Sequence, residues 1–337
     1  MGPGNYLTRK VASALGTIVV VVIFNFFLFR ILPGDPVRLI IQSPRMTAEA
    51  QARVRQQFGL DKPVWLDTAK LKQGAVLGAL DTQFTAYIRS LTRGQLGVSF
   101  TTREDVAKML RDRVWRTVLL LLAGEILAMV LGIGIGLIAA WKHGSALDTA
   151  ALLIGIFGWA LPTFFLAMIL LITARGRLPV GGMVTPGLKP VDGLRYWADV
   201  GRHLVLPTLT MTIIFTSQYM LVMRGAVMEV LAEDYILTAK AKGLSTLQIL
   251  RDHALRNALL PMITIVAVRL GHTVGGAIQV ETVFAWPGLG RLIYDAVSKH
   301  DFPVLQGAFL LLAVAVILAN LLADLLYSVL DPRVRVD

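Results

Sequence analysis

The chain has 337 residues, of which 55% are hydrophobic and only 16% are charged. This balance is too apolar for a soluble globular domain of ordinary composition, so the sequence predicts an integral membrane protein. The formal net charge of +11 favours membrane lipid over nucleic acid as a partner, because the basic residues lie in loops beside apolar stretches. The absence of cysteine excludes disulfides, thiolate metal ligands and a cysteine nucleophile.

Six stretches are long and apolar enough to cross a membrane as helices, which takes about 20 apolar residues each. They cover residues 11–32, 117–140, 149–173, 204–223, 258–280 and 309–330. The sequence therefore predicts an all-α integral membrane fold of about six transmembrane helices, with both termini on the same side of the membrane.

Three regions follow from the order of these stretches. Residues 1–32 form the first transmembrane helix, and residues 33–115 are long enough for a small subdomain outside the membrane. Residues 116–337 contain the other five helices and a polar segment at 225–257.

The second stretch contains GIGIGL, from Gly132 to Leu137. This run has the wrong spacing for a nucleotide-binding fingerprint and lies inside a membrane span. We interpret it as a site of close helix packing, since small residues allow helix backbones to approach each other in a membrane.

Between the fourth and fifth stretches lies EDYILTAKAKGLSTLQILRDHALRNALLP, from Glu233 to Pro261. Helix-forming residues flank Gly243 on both sides, so the pattern predicts two short helices joined at this glycine and lying along the membrane face. A solvated connecting loop is the alternative.

The same segment resembles the cytoplasmic coupling segment of permease subunits in binding-protein-dependent ATP-binding-cassette importers, specifically the dipeptide/oligopeptide family. Four further runs resemble that family: FLFRILPGDPVR (27–38), LGVSF (96–100), VETVFAWPGLGRLIYDAV (280–297) and NLLADLLYSVLDPRVRV (320–336). Two features depart from it. Leu237, Thr238 and Ala239 stand where the wider importer motif has Glu-Ala-Ala, and residues 66–82 are extra length.

The resemblance implies a type I importer permease fold that forms half of a translocation pathway for dipeptides or oligopeptides. The implied partners are a second related permease, giving a heterodimer, two cytoplasmic ATPases that hold ATP and magnesium, and an external peptide-binding protein. It also implies a bacterial inner membrane location, with both termini and the polar segment cytoplasmic and residues 33–115 extracytoplasmic.

This chain is not expected to be an enzyme or to bind a cofactor or metal itself. It contains no Gly-Lys dipeptide, which a phosphate-binding P-loop requires, and no HExxH or GxSxG motif. The alternatives are an importer of nickel complexes or glutathione with the same architecture, an ion-coupled secondary carrier, or a channel. A carrier would be expected to show inverted repeats and broken helices.

The resemblance assigns ATPase coupling to the polar segment, which would dock into a cleft of the ATPase and act as a rigid lever bent at Gly243. The residues given this role are Glu233, Asp234, Tyr235, Thr238, Ala239, Lys240, Ala241, Lys242, Gly243, Leu244, Arg251, His253 and Arg256.

Four ionisable residues lie within predicted spans and are candidates to line the substrate pathway, namely Glu125, Arg269, His272 and Glu281. Such groups usually face a bundle interior or a watery cavity. Arg269 and His272 share a helix face, and the Arg269 guanidinium suits a peptide carboxylate. A structural ion pair, for example with Glu125, is the alternative, and Glu281 can instead cap the extracellular end of its helix.

Two further groups complete the predicted sites. Phe284, Trp286, Pro287 and Gly288 form a candidate outer gate, as a re-entrant loop buried in protein, with an ordinary surface loop as the alternative. A polar stripe on the last span is expected to pack against neighbouring helices, and it consists of Asn320, Asp324, Tyr327 and Asp331.

Overall fold

A computed structural model describes residues 3–31, 61–72 and 75–330. Within these ranges the regular elements are helices, apart from one isolated bridge between Val98 and Asp105. Before residue 194 the α-helices are α1 (Pro3–Ile31), α2 (Thr68–Lys72), α3 (Val76–Ala79), α4 (Gln83–Thr92), α5 (Val106–Trp141), α6 (Ala146–Ala160) and α7 (Thr163–Thr173). After it come α8 (Leu194–Leu231), α9 (Asp234–Ala241), α10 (Thr246–Gln248), a π-helical turn (Ile249–Ala254), α11 (Leu255–Val283), α12 (Leu289–Ser298) and α13 (Phe302–Leu330).

Four helices in the described ranges are long and apolar enough to cross a membrane, and the bent pair α6–α7 makes up to five. The four segments are Thr8–Arg30, Val106–Trp141, Leu194–Leu231 and Phe302–Leu322. Helix α11, with 29 residues, covers the remaining predicted span, but the side chains of residues 267–276 lie outside the described residues. The expected all-helical membrane fold is confirmed, and the number six stays a prediction.

The predicted span over residues 149–173 is bent in the structure, and its crossing of the membrane as one broken span stays a prediction. Helix α6 ends at Ala160, and α7 begins at Thr163 after a bend of 101°. The cause is Pro162, because a proline disfavours helical backbone angles in the residue before it. Leu161 accordingly adopts φ −70° and ψ 126°, an extended conformation. The length and hydrophobicity of residues 149–173 do not predict this bend.

The contacts divide the chain into two compact units, which are described separately. The first comprises residues 1–10, 114–291 and 318–337, and the second comprises residues 11–113 and 292–317. The domain boundaries expected after residues 32 and 115 stay predictions.

Helix α8 is more deeply buried in the first unit than α5 is. Its most apolar stretch is 61% buried, against 28% for α5. The buried core around it includes Met211, Tyr219 and Met223 from α8 and Leu120 from α5. Most of the surface of α8 is therefore protein-facing, as expected for a helix at the centre of a bundle.

The GIGIGL run lies where α5 meets α8. A Cβ atom on Gly132 would lie 2.4 Å from the Tyr219 Cβ, and one on Gly136 would lie 2.6 Å from the Met220 carbonyl oxygen. Gly134, between them, faces open space. The interpretation of this run as a close helix contact is confirmed for the two outer glycines, which leave no room for a side chain.

Aromatic rings form the centre of the second unit. Phe26 and Phe27 of α1 pack against Phe84 of α4, with ring centroids 5.1 and 6.4 Å apart. The ring of Trp65 packs on both Phe84 and Phe27, at 4.6 and 5.3 Å. These contacts attach the start of the extra segment to α1 and α4.

The described residues of the stretch 66–82 form two short helices that contact each other. Its two short helices are closed by a hydrogen bond from the Asp67 N–H to the Ala79 carbonyl oxygen, and Lys62 pairs with Asp81 at 2.6 Å. Its last residue, Thr82, caps α4 by exchanging hydrogen bonds with Thr85. The contacts of this segment are therefore made within the second unit.

In the same unit, Asp301 fixes the LGVSF loop to the start of α13. Its buried carboxylate accepts hydrogen bonds from the Ser99 hydroxyl at 2.5 Å, the Phe100 N–H at 3.0 Å and the Thr101 N–H at 3.1 Å. Three donors of this kind satisfy a buried carboxylate.

We expect Gly132→Leu to destabilise the protein because a side chain there collides with α8, at a cost of roughly 1–3 kcal/mol for an overpacked contact. Gly134→Leu is the matched control, since its position is open. The measurement is the thermal unfolding midpoint of each variant purified in detergent. Equal midpoints for the two variants would contradict the assigned helix contact.

Candidate functional site: a helical elbow and two buried polar clusters

The polar segment after α8 forms a rigid bend, which we call the elbow (residues 233–254). Gly243 has φ +80°, a left-handed conformation that suits glycine. The Gly243 N–H donates to the Lys240 carbonyl oxygen at 3.0 Å, and the Leu244 N–H donates to the Ala239 carbonyl oxygen at 3.3 Å. This pair of bonds is a Schellman motif, which ends α9 at a defined angle.

The second arm of the elbow begins immediately after the bend. Ser245 and Gln248 form a capping box, in which the Ser245 N–H donates to Gln248 Oε1 at 2.8 Å. The two arms then pack together through the buried side chains of Ile236, Ala239 and Ile249. The prediction of two short helices joined at Gly243 is confirmed, and the second of them continues through the π-helical turn into α11.

Further contacts connect the two arms at their bases. The Asn257 side chain donates to the Tyr235 hydroxyl at 2.8 Å. On the second arm the Arg251 guanidinium pairs with Asp252 at 2.7 Å, and its donated hydrogen bond lowers the pKa of that carboxyl. Both groups of this pair are exposed, so it adds little rigidity.

Most residues assigned to coupling lie on the outside of the elbow. Ala239 is the exception, because it is buried between the arms, while Leu244 and His253 are half-buried. The exposed ones are Glu233, Asp234, Tyr235, Thr238, Lys240, Ala241, Lys242, Gly243, Arg251 and Arg256.

Two leucines that the sequence reasoning did not assign to coupling are the most exposed of the large hydrophobic side chains described in the elbow. Leu237 and Leu247 are each 63% exposed, one on each arm. The sequence contained a signal for the exposure of Leu237. Ile236 and Ala239 are three residues apart and therefore share the buried face of α9, whereas Leu237 does not lie on that face. These two side chains are the exposed leucines on the outer surface of the elbow.

A buried charge cluster lies next to the elbow, at the end of α8. Arg224 binds Asp148 with two hydrogen bonds, from Nε at 2.6 Å and from Nη2 at 2.8 Å. Asp148 also accepts from the Gly144 N–H at 3.0 Å and lies 3.1 Å from His143 Nδ1. This cluster connects the last part of α8 to the first turn of α6 and to the residues just before it, and sequence reasoning did not find it.

A second buried cluster surrounds Glu281, at the end of α11. Its carboxylate accepts a hydrogen bond from the Thr117 hydroxyl at 2.6 Å and from the Arg291 N–H at 3.0 Å. The Thr117 oxygen in turn accepts from the Leu289 N–H at 2.7 Å. Two N–H groups at the start of α12 are thus satisfied. Glu281 is fully buried and caps the helix after its own.

The candidate gate residues lie next to the Glu281 cluster. Phe284, Trp286 and Gly288 are buried, and the Trp286 indole N–H donates to the Arg116 carbonyl oxygen at 3.0 Å. A Cβ on Gly288 would lie 2.2 Å from the Glu281 carboxylate. These residues therefore lie inside the protein, and their role as an outer gate stays a prediction. Pro287 is half-buried beside them.

The other pathway candidates are only partly described. Glu125 is buried and accepts a hydrogen bond from the Tyr219 hydroxyl of α8. Arg269 and His272 belong to α11, but their side chains lie outside the described residues. The choice between a pathway and an ion pair for Arg269 therefore stays open.

The polar stripe on α13 is also described in part. Asp324 pairs with Lys10 of α1 at 2.7 Å, which agrees with the expected packing role. Asn320 is exposed. The Tyr327 side chain and all of Asp331 lie outside the described residues.

Tryptophans mark the two ends of the first unit. The rings of Trp115 and Trp197 lie 6.5 Å apart near the starts of α5 and α8, and Trp141 lies at the other end of α5. Tryptophan collects at the two membrane interfaces. The elbow follows the end of α8, so it lies at the Trp141 end and the Glu281 cluster lies at the Trp115 end.

Buried ionisable groups between membrane-length helices are typical of membrane proteins that transport a substrate or an ion. The chain belongs to the family of binding-protein-dependent transport system inner membrane components. That family's model matches residues 132–336, and the model for the N-terminal part of these membrane components matches residues 4–121. The expected permease fold is thereby confirmed.

Curated relatives match the chain over almost its whole length. The dipeptide transport system permease protein of Escherichia coli (strain K12) is 34% identical, with 98% of each chain covered. The di/tripeptide transport system permease protein of Pseudomonas aeruginosa (strain UCBPP-PA14) is 34% identical, again with 98% of each covered. The glutathione transport system permease protein of Salmonella choleraesuis (strain SC-B67) is 34% identical, with 98% of this chain and 99% of that protein covered.

We expect Glu281→Leu to destabilise the protein, because the Thr117 hydroxyl and the Arg291 N–H lose their acceptor at about 1–3 kcal/mol per buried group. Glu281→Gln keeps an acceptor oxygen and the side-chain volume, so its loss should be smaller. Thermal unfolding of the purified variants measures the difference. Glu229→Leu, at an exposed position of α8, controls for the change of charge, and a loss as large as that of Glu281→Leu would refute the assigned role.

Proposed function

We propose that this chain is the permease subunit of an ATP-driven peptide importer and forms half of its translocation pathway. The names of the relatives support a cargo of dipeptides or short oligopeptides. Glutathione is the second candidate, because a glutathione permease matches equally well. Glutathione is itself a small peptide, so both candidates share amide and carboxylate groups.

The observation that carries the coupling role is the elbow. A lever has to transmit force without bending, and the Schellman motif, the capping box and the contact of Ile236 with Ile249 all fix its angle. Leu237 and Leu247 then offer apolar contact area to a partner. We propose that the partner is a cytoplasmic ATPase, which supplies the ATP site and magnesium that this chain is not expected to hold.

The assembly that follows has a second, related permease, two ATPases and an external peptide-binding protein. Docking of the elbow on an ATPase sets the orientation, with the elbow, the Trp141 end and both termini facing the cytoplasm. The Trp115 end and the Glu281 cluster then face outward. In this arrangement Phe284 to Gly288 close the outer mouth, and the membrane is a bacterial inner membrane.

Arg269 and His272 are proposed to line the pathway between these ends, with the Arg269 guanidinium binding the peptide carboxylate. We expect Arg269→Ala to reduce uptake of a dipeptide with a free carboxyl end about tenfold more than uptake of its amide. Uptake is measured in proteoliposomes that contain the full complex. Equal losses for both substrates, together with poor assembly, would indicate the structural ion pair instead.

The coupling role is tested on the complex purified from its native membrane. The wild-type chain should bring ATPase subunits with it, and peptide-loaded binding protein should stimulate their activity. Leu237→Ser together with Leu247→Ser should reduce the retained ATPase about tenfold or more, since burying one leucine is worth about 1.5–3 kcal/mol. Peptide uptake should fall in parallel.

Leu194→Ser is the matched control for this experiment. Leu194 is 86% exposed and begins α8, which is about 57 Å long at 1.5 Å per residue, so it lies at the end opposite the elbow. This variant should retain the ATPase fully. A wild-type chain that purifies alone and transports peptide without ATP would overturn the proposed function, whereas unchanged retention in the double variant would overturn only the docking surface.

A further inference from the structure

The second unit contains a cavity of about 200 Å³ that the proposed function does not use. Its described walls come from the end of α1, from α4, from residues 95–100 and from the start of α13. Six of the lining side chains are polar: Arg30, Gln83, Tyr87, Ser90, Gln95 and Gln306. The cavity is thus a polar site within a single unit.

The charge of the cavity is positive. Arg30 is the one charged residue among the described lining residues, which include no aspartate or glutamate. The guanidinium lies 5.6 Å from the centre of the Phe26 ring, and the aspartate at the start of α13, Asp301, is already bound by Ser99 and its neighbours. A half-buried guanidinium with no carboxylate among the described lining residues favours an oxyanion in the cavity.

Two side-chain amide groups in the cavity wall provide one hydrogen-bond donor and one acceptor for a ligand. Gln83 Oε1 and Gln306 Nε2 are buried, and neither has a hydrogen-bond partner among the described residues. Gln83 is 8% exposed, and its Nε2 donates to the Lys62 carbonyl oxygen at 2.6 Å, which fixes Oε1 as the acceptor left over. Buried polar atoms are normally satisfied. A ligand that satisfies both atoms and Arg30 must carry an oxyanion and an N–H or O–H donor.

We propose that this cavity binds the carboxyl-terminal end of a short peptide. The terminal carboxylate binds Arg30 and Gln306 Nε2, and the last peptide N–H donates to Gln83 Oε1. A space of about 200 Å³ equals roughly six or seven water molecules at about 30 Å³ each, which suits one terminal residue. The assignment rests on the proposed function, because it takes peptides as the ligands that reach this protein.

The test measures binding of radiolabelled dialanine to the full complex in nanodiscs, without the external binding protein. Competition by unlabelled dialanine should be at least tenfold stronger than competition by dialanine amide, since the amide lacks the charge that Arg30 binds. Arg30→Gln and Arg30→Lys should each weaken dialanine binding about tenfold, the lysine because it lacks the two-pronged geometry.

Gln83→Leu supplies a second, independent variant. It should weaken dialanine binding several-fold and leave competition by propionate unchanged, because propionate has no N–H to donate. Arg89→Gln is the matched control, since Arg89 is an exposed arginine of α4 that does not line the cavity. Its binding should equal that of the wild type.

Three results would overturn the proposal. Absence of saturable dialanine binding would mean that the cavity holds only water. Equal competition by dialanine and its amide would show that the site does not bind the peptide carboxylate. Stronger competition by glycerol 1-phosphate than by dialanine would show that the cavity binds a lipid headgroup. Peptide uptake by the wild-type complex separates the two proposals. If the complex transports peptide but dialanine does not bind at this cavity, only the cavity assignment is refuted. If the complex shows no ATP-driven peptide uptake, the proposed function is refuted.

Discussion

The architecture of the first unit depends on how closely other helices approach α8. Gly132 and Gly136 bring α5 against it, and a Cβ on Gly155 or Gly158 of α6 would lie 2.1 or 2.2 Å from side-chain atoms of Met220 or Ser217. In a lipid environment the burial of apolar surface contributes little free energy to helix association. Close van der Waals packing at small residues has to provide that free energy instead. The burial of α8 from several sides follows from these four glycines.

Polar chemistry in this unit is concentrated at the two ends of the bundle. The Glu281 cluster joins α5, α11 and α12 at one end, and the Arg224 and Asp148 pair joins α8 to the first turn of α6 at the other. Glu125 and Tyr219 form the contact between them. Buried groups satisfied in this way fix which helices are neighbours, because a shifted helix would leave a charge without a partner.

The sequence predicted the elements that depend on local pattern. Apolar length placed the long helices, and Gly243 between two helix-forming runs placed the elbow. It failed where distant residues decide the outcome, since Thr117 is 164 residues from Glu281 and Arg224 is 76 residues from Asp148. Proline was ambiguous as well: Pro162 ends a helix, whereas Pro207 lies inside α8. Only the surrounding packing distinguishes these two cases.

The bond between Arg224 and Asp148 has a mechanical consequence for the elbow that follows it. A contact through one hydrogen bond acts as a pivot, about which two helices can still rotate. Two parallel bonds from one planar guanidinium resist twisting as well as separation. The Arg224–Asp148 pair therefore opposes both rotation and separation of α8 and the start of α6, near the point where the elbow begins.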